Sequence, residues 1–240
     1  MSPKKSHEVS RLSFLIRTMA LHCSDGSQTK VVDAGSGQGY LSYKIAGSGD
    51  SSRGKHSAVE VLALESDKQQ LDGARKRAVA CDARRNQKGL SAAPVTFCHA
   101  HISNTASLKA AVDDWMIAGS STNQPKECTI PQERERLTNV IFTGLHTCGS
   151  LTPSMLRAFA DLAGDAALGP SMRMARDSSP QRPWRSSALA LVGCCYNLLQ
   201  PSGEPAAACH ALYFVRFIEH TVERKHQIFP CRLVYKIEAC

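Results

Sequence analysis

Three glycines alternate behind an acid in Asp33-Ala-Gly35-Ser-Gly37-Gln-Gly39-Tyr40. Glycine tolerates a left-handed backbone and has no Cβ to hold a ligand away. Val31 and Val32 precede the acid and Leu41 follows the last glycine, so the segment reads as a strand turning into a helix. In an open parallel sheet such turns lie at the carboxyl ends of strands, where ligands bind. A dinucleotide site wants Gly-x-Gly-x-x-Gly, with its third glycine packing the helix on the strand and the helix N-terminus facing a pyrophosphate. Tyr40 stands at that third position. An acid two residues before Gly35 suits instead a ligand with positive charge and no phosphate. S-adenosylmethionine, with a sulfonium and an ammonium group, fits that description. Asp33 is expected to act near its methionine part through water or backbone contacts. Glu65 ends a second apolar run, Ala58–Leu64, and is expected to accept hydrogen bonds from both ribose hydroxyls. Asp67 reads as the cap of the next helix. The candidate cofactor residues are therefore Asp33, Gly35, Gly37, Gly39 and Glu65. A tight turn with no ligand is one competing reading. A nicotinamide dehydrogenase is another, and Tyr40 counts against it. His99 and His101 fall where an adenine-contacting side chain can sit, but loop histidines are more often simply solvated.

A second constellation joins Gly144-Leu-His146-Thr-Cys148-Gly-Ser150-Leu-Thr152-Pro153 to Gly193-Cys194-Cys195-Tyr196-Asn197. If the strands before these loops are neighbours, both loops open at the same sheet edge as the glycines. Methyl transfer is an in-line displacement that needs a positioned nucleophile and a group to take its proton. Histidine is the usual base at neutral pH, which points to His146. A helix N-terminus just after Cys148 favours a thiolate there, and Tyr196 can hold an acceptor by hydrogen bond or stacking. His146, Cys148, Cys194, Cys195 and Tyr196 are the candidate catalytic residues. Two other readings stay open. His146, Cys148, Cys194 and Cys195 make a His/Cys₃ metal set, although adjacent cysteines are awkward tetrahedral ligands, and no metal site is assigned. Alternatively the cysteines are core packing and His146 is satisfied by backbone. No Asn/Asp-Pro-Pro-aromatic loop follows the fourth strand, which withholds support from an exocyclic base amine as acceptor.

The elements that must position these residues alternate in type. Val9, Leu12, Ile16 and Met19 predict a helix over 7–22. Strands are expected at 30–33, 58–64, 94–98, 139–143 and 188–192. Helices are expected at 40–46, around Leu71–Cys81, around Leu108–Trp115, and from a Thr152 cap with Pro153 at its first position through Ala163. A further helix around Leu212–Val222 and a strand at 232–237 complete the series. Alternation of this kind implies a doubly wound α/β domain, a mostly parallel sheet with helices on both faces. The whole of 1–240 reads as one such domain, with polar surface insertions near 47–57, 119–136 and 164–187. The series stops at a sixth strand, which predicts a sheet truncated at its C-terminal edge.

The chain has 240 residues, 42% of them hydrophobic, enough for a continuous core. No apolar run is long enough to span a bilayer. The first residues carry charge with no apolar segment behind it, unlike a signal peptide, so cytoplasm or nucleus is the expected compartment. The ten cysteines show no C-x-x-C pair and read as reduced, with Cys81 and Cys98 as small core residues. The net charge is +8. Its densest stretch, Lys68–Lys88, reads as a solvated helix face or, alternatively, as a footprint for nucleic-acid phosphates.

Four blocks resemble the methyltransferase-like protein 25 family, also described as ribosomal RNA adenine dimethylase domain-containing proteins. They are Met1-Ser-Pro-Lys-Lys-Ser-His-Glu-Val9, Val32-Asp-Ala-Gly-Ser-Gly-Gln-Gly-Tyr-Leu-Ser42, Gly144-Leu-His-Thr-Cys-Gly-Ser-Leu-Thr-Pro153 and Val192-Gly-Cys-Cys-Tyr-Asn-Leu-Leu199. The tail from Ala211 to Cys240 resembles it more loosely. The resemblance implies a class I, Rossmann-like S-adenosylmethionine-dependent methyltransferase fold, with RNA or a ribosome-associated protein as partner; with no bilayer-spanning run, no membrane is expected as a partner. It also implies that Lys4, Lys5, His7 and Glu8 line the entrance for cofactor or acceptor. Two positions depart from the family pattern. Ser150 stands where Asp is usual after His-x-Cys-Gly, and Asn197 where His is usual after Gly-Cys-Cys-Tyr. These departures motivate a further reading, a non-catalytic S-adenosylmethionine-binding interaction module, and the Cys/His cluster itself a third, a metal-binding regulatory protein.

Overall fold

Five parallel strands make one sheet in the computed structural model, which describes residues 1–24, 26–47, 59–89, 92–120, 137–167 and 182–193. In chain order the elements are α1 (Pro3–Cys23), β1 (Thr29–Ala34), α2 (Tyr40–Ala46), β2 (Val61–Glu65), α3 (Lys68–Gln87), β3 (Val95–His99), α4 (Thr105–Ser120), β4 (Thr138–Leu145), α5 (Leu151–Ala167) and β5 (Trp184–Val192). The strand order is β3-β2-β1-β4-β5. The expected doubly wound α/β architecture is what forms. From β1 the chain winds first to β2 and β3 and then back across to β4 and β5. The carboxyl ends of β1 and β4 therefore flank a topological switch point, the crevice such sheets use for ligands.

Helices cover both faces, so the strands are nearly continuous apolar runs. Successive side chains point to opposite faces, and the two cores follow that alternation. Val32 and Phe142 pack with Leu108, Val112, Met155 and Leu162 of α4 and α5. Val31 and Ile141 pack with Leu12, Ile16, Leu41 and Ile45 of α1 and α2. Trp184 is buried beneath α4, with its indole donating to Asp113 Oδ1 at 2.7 Å.

Several boundaries differ from the sequence expectation. α1 begins at Pro3, because Ser2 Oγ caps it by accepting from Lys5 N and proline at the first position has its φ preset for a helix. α5 begins at Leu151, so Thr152 is not its cap. Pro153 is tolerated because N–H groups in the first turn have no intrahelical partner, and the Thr152 hydroxyl turns back to the Thr147 carbonyl. β5 begins at Trp184, ahead of the expected Ala188, because its polar residues are satisfied in the sheet. Arg185 Nε and Ser187 Oγ donate to Asn139 Oδ1 at 2.6 and 2.9 Å, and Asn139 Nδ2 donates to the Cys23 carbonyl at 2.6 Å. The segment between α5 and β5 is accordingly shorter than 164–187, and Gly119 belongs to α4. Cys98 packs against the core, but Cys81 is half-exposed on α3 and outside it. The expected elements around 212–222 and 232–237 lie outside the described residues. No described helix is long and apolar enough to cross a membrane.

Candidate functional site

The glycine loop is clamped to the end of β2. Gly35 N and Ser36 N both donate to the Leu64 carbonyl, at 2.9 and 3.0 Å. Gly37 N donates to Glu65 Oε2 at 2.7 Å, and Asp67 N to Glu65 Oε1 at 2.8 Å. Glu65 is thus fixed against the loop with acceptor capacity left on both oxygens, since an ionised carboxylate offers about four lone-pair sites. The same bond argues against a dinucleotide. The Gly37 N–H that would face a pyrophosphate already serves a carboxylate, whose charge repels phosphate. Asp67 caps α3 as expected, accepting from Gln69 N at 2.7 Å and Gln70 N at 3.1 Å.

The three glycines do different work, although φ is positive at each: 68° at Gly35, 54° at Gly37 and 71° at Gly39. A Cβ on Gly35 would lie 2.9 Å from Leu151 Cδ2, and one on Gly39 3.0 Å from the Phe97 ring. A Cβ on Gly37 would meet nothing within 4 Å among the described residues. Gly35 and Gly39 therefore let the loop pack, whereas Gly37 bares its backbone to open space.

Asp33 is 1% exposed. Ser42 Oγ, from the buried side of α2, donates to Oδ2 at 2.6 Å, while Oδ1 has no partner among the described residues. Burial raises the Asp33 pKa from 3.8 to about 7; the Ser42 hydrogen bond opposes the rise and the neighbouring Glu65 carboxylate adds to it. Sequence reasoning expected the acid but not its hydroxyl partner; a serine between the core residues Leu41 and Tyr43 was the available signal. Ser42→Ala should remove the hydroxyl donor to Oδ2, leave the carboxyl only the Ser42 backbone N–H among the described residues, and cost about 1–3 kcal/mol. Urea unfolding should show a larger loss at pH 8 than at pH 5, because the hydroxyl supports the ionised form.

The loop after β4 is stitched to the end of β5. His146 N and Thr147 N donate to the Val192 carbonyl at 2.8 and 3.2 Å. β4 and β5 are thus neighbours, with His146 and Cys148 at the edge from which Gly193 leads onward. Cys194, Cys195, Tyr196 and Asn197 lie outside the described residues. His146 has φ 66°, the sole positive value at a non-glycine among the described residues. Such conformations are costly and gather at functional sites. Its Nε2 lies 3.2 Å from Glu8 Oε2 of α1. Cys148 is half-buried ahead of α5.

The entrance residues implied by the resemblance divide. Glu8 reaches His146, and Lys5 Nζ lies 5.0 Å over the Tyr40 ring, on which the Arg77 guanidinium also sits at 4.1 Å. Lys4 and His7 are exposed. His99 Nε2 lies 2.9 Å from the Ser66 carbonyl. Among the described residues no three His, Cys, Asp or Glu side chains gather as a metal site, and two members of the His/Cys₃ set fall outside those residues.

The geometry is therefore a carboxylate-flanked glycine loop beside a strained histidine, all at the carboxyl edge of a switch point. Residues 4–168, well over half of the 240, match the family model Methyltransf_32, a methyltransferase domain. The matched span holds the glycine loop, Glu65 and His146, and the chain belongs to this family of methyltransferase domains.

Proposed function

We propose that the protein transfers a methyl group from S-adenosylmethionine to RNA or to a ribosome-associated protein. The observation that carries the cofactor is Asp33, a buried carboxyl with one oxygen unpartnered among the described residues, beside a glycine loop whose backbone those residues leave open at Gly37. Buried polar atoms in native folds have partners as a rule, and a cation close by supplies the missing compensation. When bound, S-adenosylmethionine supplies an electrophilic methyl carbon on a sulfonium. Asp33 favours positive charge at the loop, Glu65 accepts from the ribose hydroxyls, and Gly35, Gly37 and Gly39 shape the backbone around the nucleoside. His146 takes the acceptor's proton, and the carboxylate of Glu8 on Nε2 sets which ring nitrogen carries hydrogen. Cys148 serves the acceptor, and the same role is assigned from sequence to Cys194, Cys195 and Tyr196.

The acceptor class rests on the resemblance to the methyltransferase-like protein 25 family and on the basic charge of the chain. A single domain over 1–240, working in the cytoplasm or nucleus, accords with the same reading. Labelling fractionated RNA and protein from cells lacking the gene with methyl-tritiated cofactor tests it. Counts in one RNA or ribosomal fraction, lost with His146→Ala, are expected. Labelling that survives His146→Ala unchanged would remove the base from this account. Ser150 and Asn197 favour a second reading, a cofactor-binding module without catalysis. It predicts labelling only after Ser150→Asp and Asn197→His.

A further inference from the structure

α2 has seven residues, whereas its neighbours α1 and α3 have 21 and 20. The mismatch leaves a trough of about 320 Å³ over α2, between the two long helices. Lys44, Arg84 and Arg85 line it, and among the described residues no carboxylate does. Its α2 floor begins at Tyr40, the residue after Gly39, and Lys5 and Arg77 stand on that ring. Two of these cations are held in place. Arg77 donates to the Gln38 carbonyl at 2.5 Å, and Arg85 to the Tyr43 carbonyl at 2.9 Å. Lys44 and Arg84 are exposed. The nearby acid is Asp82, which accepts from the Tyr43 hydroxyl at 3.2 Å and lies 3.9 Å from Arg85.

We propose that this trough binds the phosphodiester backbone of RNA and leads the strand toward the glycine loop. Three cations line the trough, and two more stand on the Tyr40 ring where α2 meets the glycine loop. The exposed Arg84 fork suits phosphate oxygens and exposed Lys44 adds point charge, while the tethered Arg77 and Arg85 contribute fixed positive charge. The strand's role as methyl acceptor rests on the function proposed above; its binding in the trough does not.

The test is fluorescence anisotropy with a short labelled single-stranded RNA of mixed sequence, read over a range of salt. Lys44→Glu/Arg84→Glu should weaken binding about tenfold or more and flatten the salt dependence by roughly 1.4 in log–log slope, about 0.7 for each phosphate no longer neutralised. Lys76→Glu/Lys88→Glu, the same charge change at two exposed lysines outside the trough, one on α3 and one just past its end, should stay within about twofold of the natural chain. Equal losses from both pairs would reduce the effect to net charge and overturn the trough. Absence of RNA binding by the natural chain would overturn it too, as would polyglutamate competing as well as RNA, which would mark a surface for acidic protein. Calorimetry with S-adenosylmethionine on the same samples separates this failure from failure of the cofactor site.

Discussion

Asp33→Asn should strengthen the ligand-free fold at pH 8 and weaken S-adenosylmethionine binding on the order of 100-fold. Both effects have one cause. The folded Asp33 carboxyl holds its proton up to about pH 7, whereas the unfolded one releases it near 3.8. Between those values the native state carries the extra proton, so stability falls as pH rises through the window and levels off above it. Each pH unit there costs about 1.4 kcal/mol. The amide has no charge to bury, so its urea stability should stay flat while that of the natural chain declines from pH 4 to 7. The two curves should meet below pH 4. Parallel curves would show that Asp33 is not the group responsible. The amide also removes the charge that a cationic ligand would meet, and the stability gained is the function lost.

Gly37→Ala and Gly39→Ala should fail in opposite ways. Both positions have positive φ, and a side chain there costs about 1–2 kcal/mol. At position 37 the new methyl enters open space. The fold should survive while a ligand lying on that backbone is pushed off by about 1–3 kcal/mol, or roughly 5- to 150-fold in affinity. At position 39 the methyl meets Phe97 at 3.0 Å and Ala74 at 3.4 Å, so the loss should appear first in thermal stability. Thermal melting and cofactor titration of the pair separate ligand space from packing space. Equal cofactor affinity for Gly37→Ala and the natural chain would move the ligand away from this loop.

The strand–glycine–helix unit was legible because its signals are local. Apolar residues precede the acid, glycines follow at a spacing that only a tight turn explains, and α2 spans the expected 40–46. The sheet order followed from alternation, since a parallel crossover admits few arrangements. What escaped was non-local or compensated. The first residues of β5 look too polar for a buried strand until Asn139 is found opposite them. The cap of α5 was misplaced because Thr-Pro signals a helix start without fixing whether proline stands first or third. The Glu8–His146 contact joins two distant segments, and no spacing rule reaches across them; only the resemblance placed Glu8 at the entrance. Basic residues read as a solvated face of α3 include arginines that grip the carbonyls of Gln38, Tyr43 and Phe97. A sequence does not show which arginines are tethered.

Calorimetric titration of the folded chain with S-adenosylmethionine, and separately with NAD, at pH 6 and pH 8 tests the central claim most directly. One S-adenosylmethionine per chain should bind, tighter at pH 8, with protons released to the buffer at pH 6 and binding weakened on the order of 100-fold in Asp33→Asn. NAD should give no heat. Silence with S-adenosylmethionine from a folded chain, or NAD bound in a way that Gly37→Ala abolishes, would contradict the account.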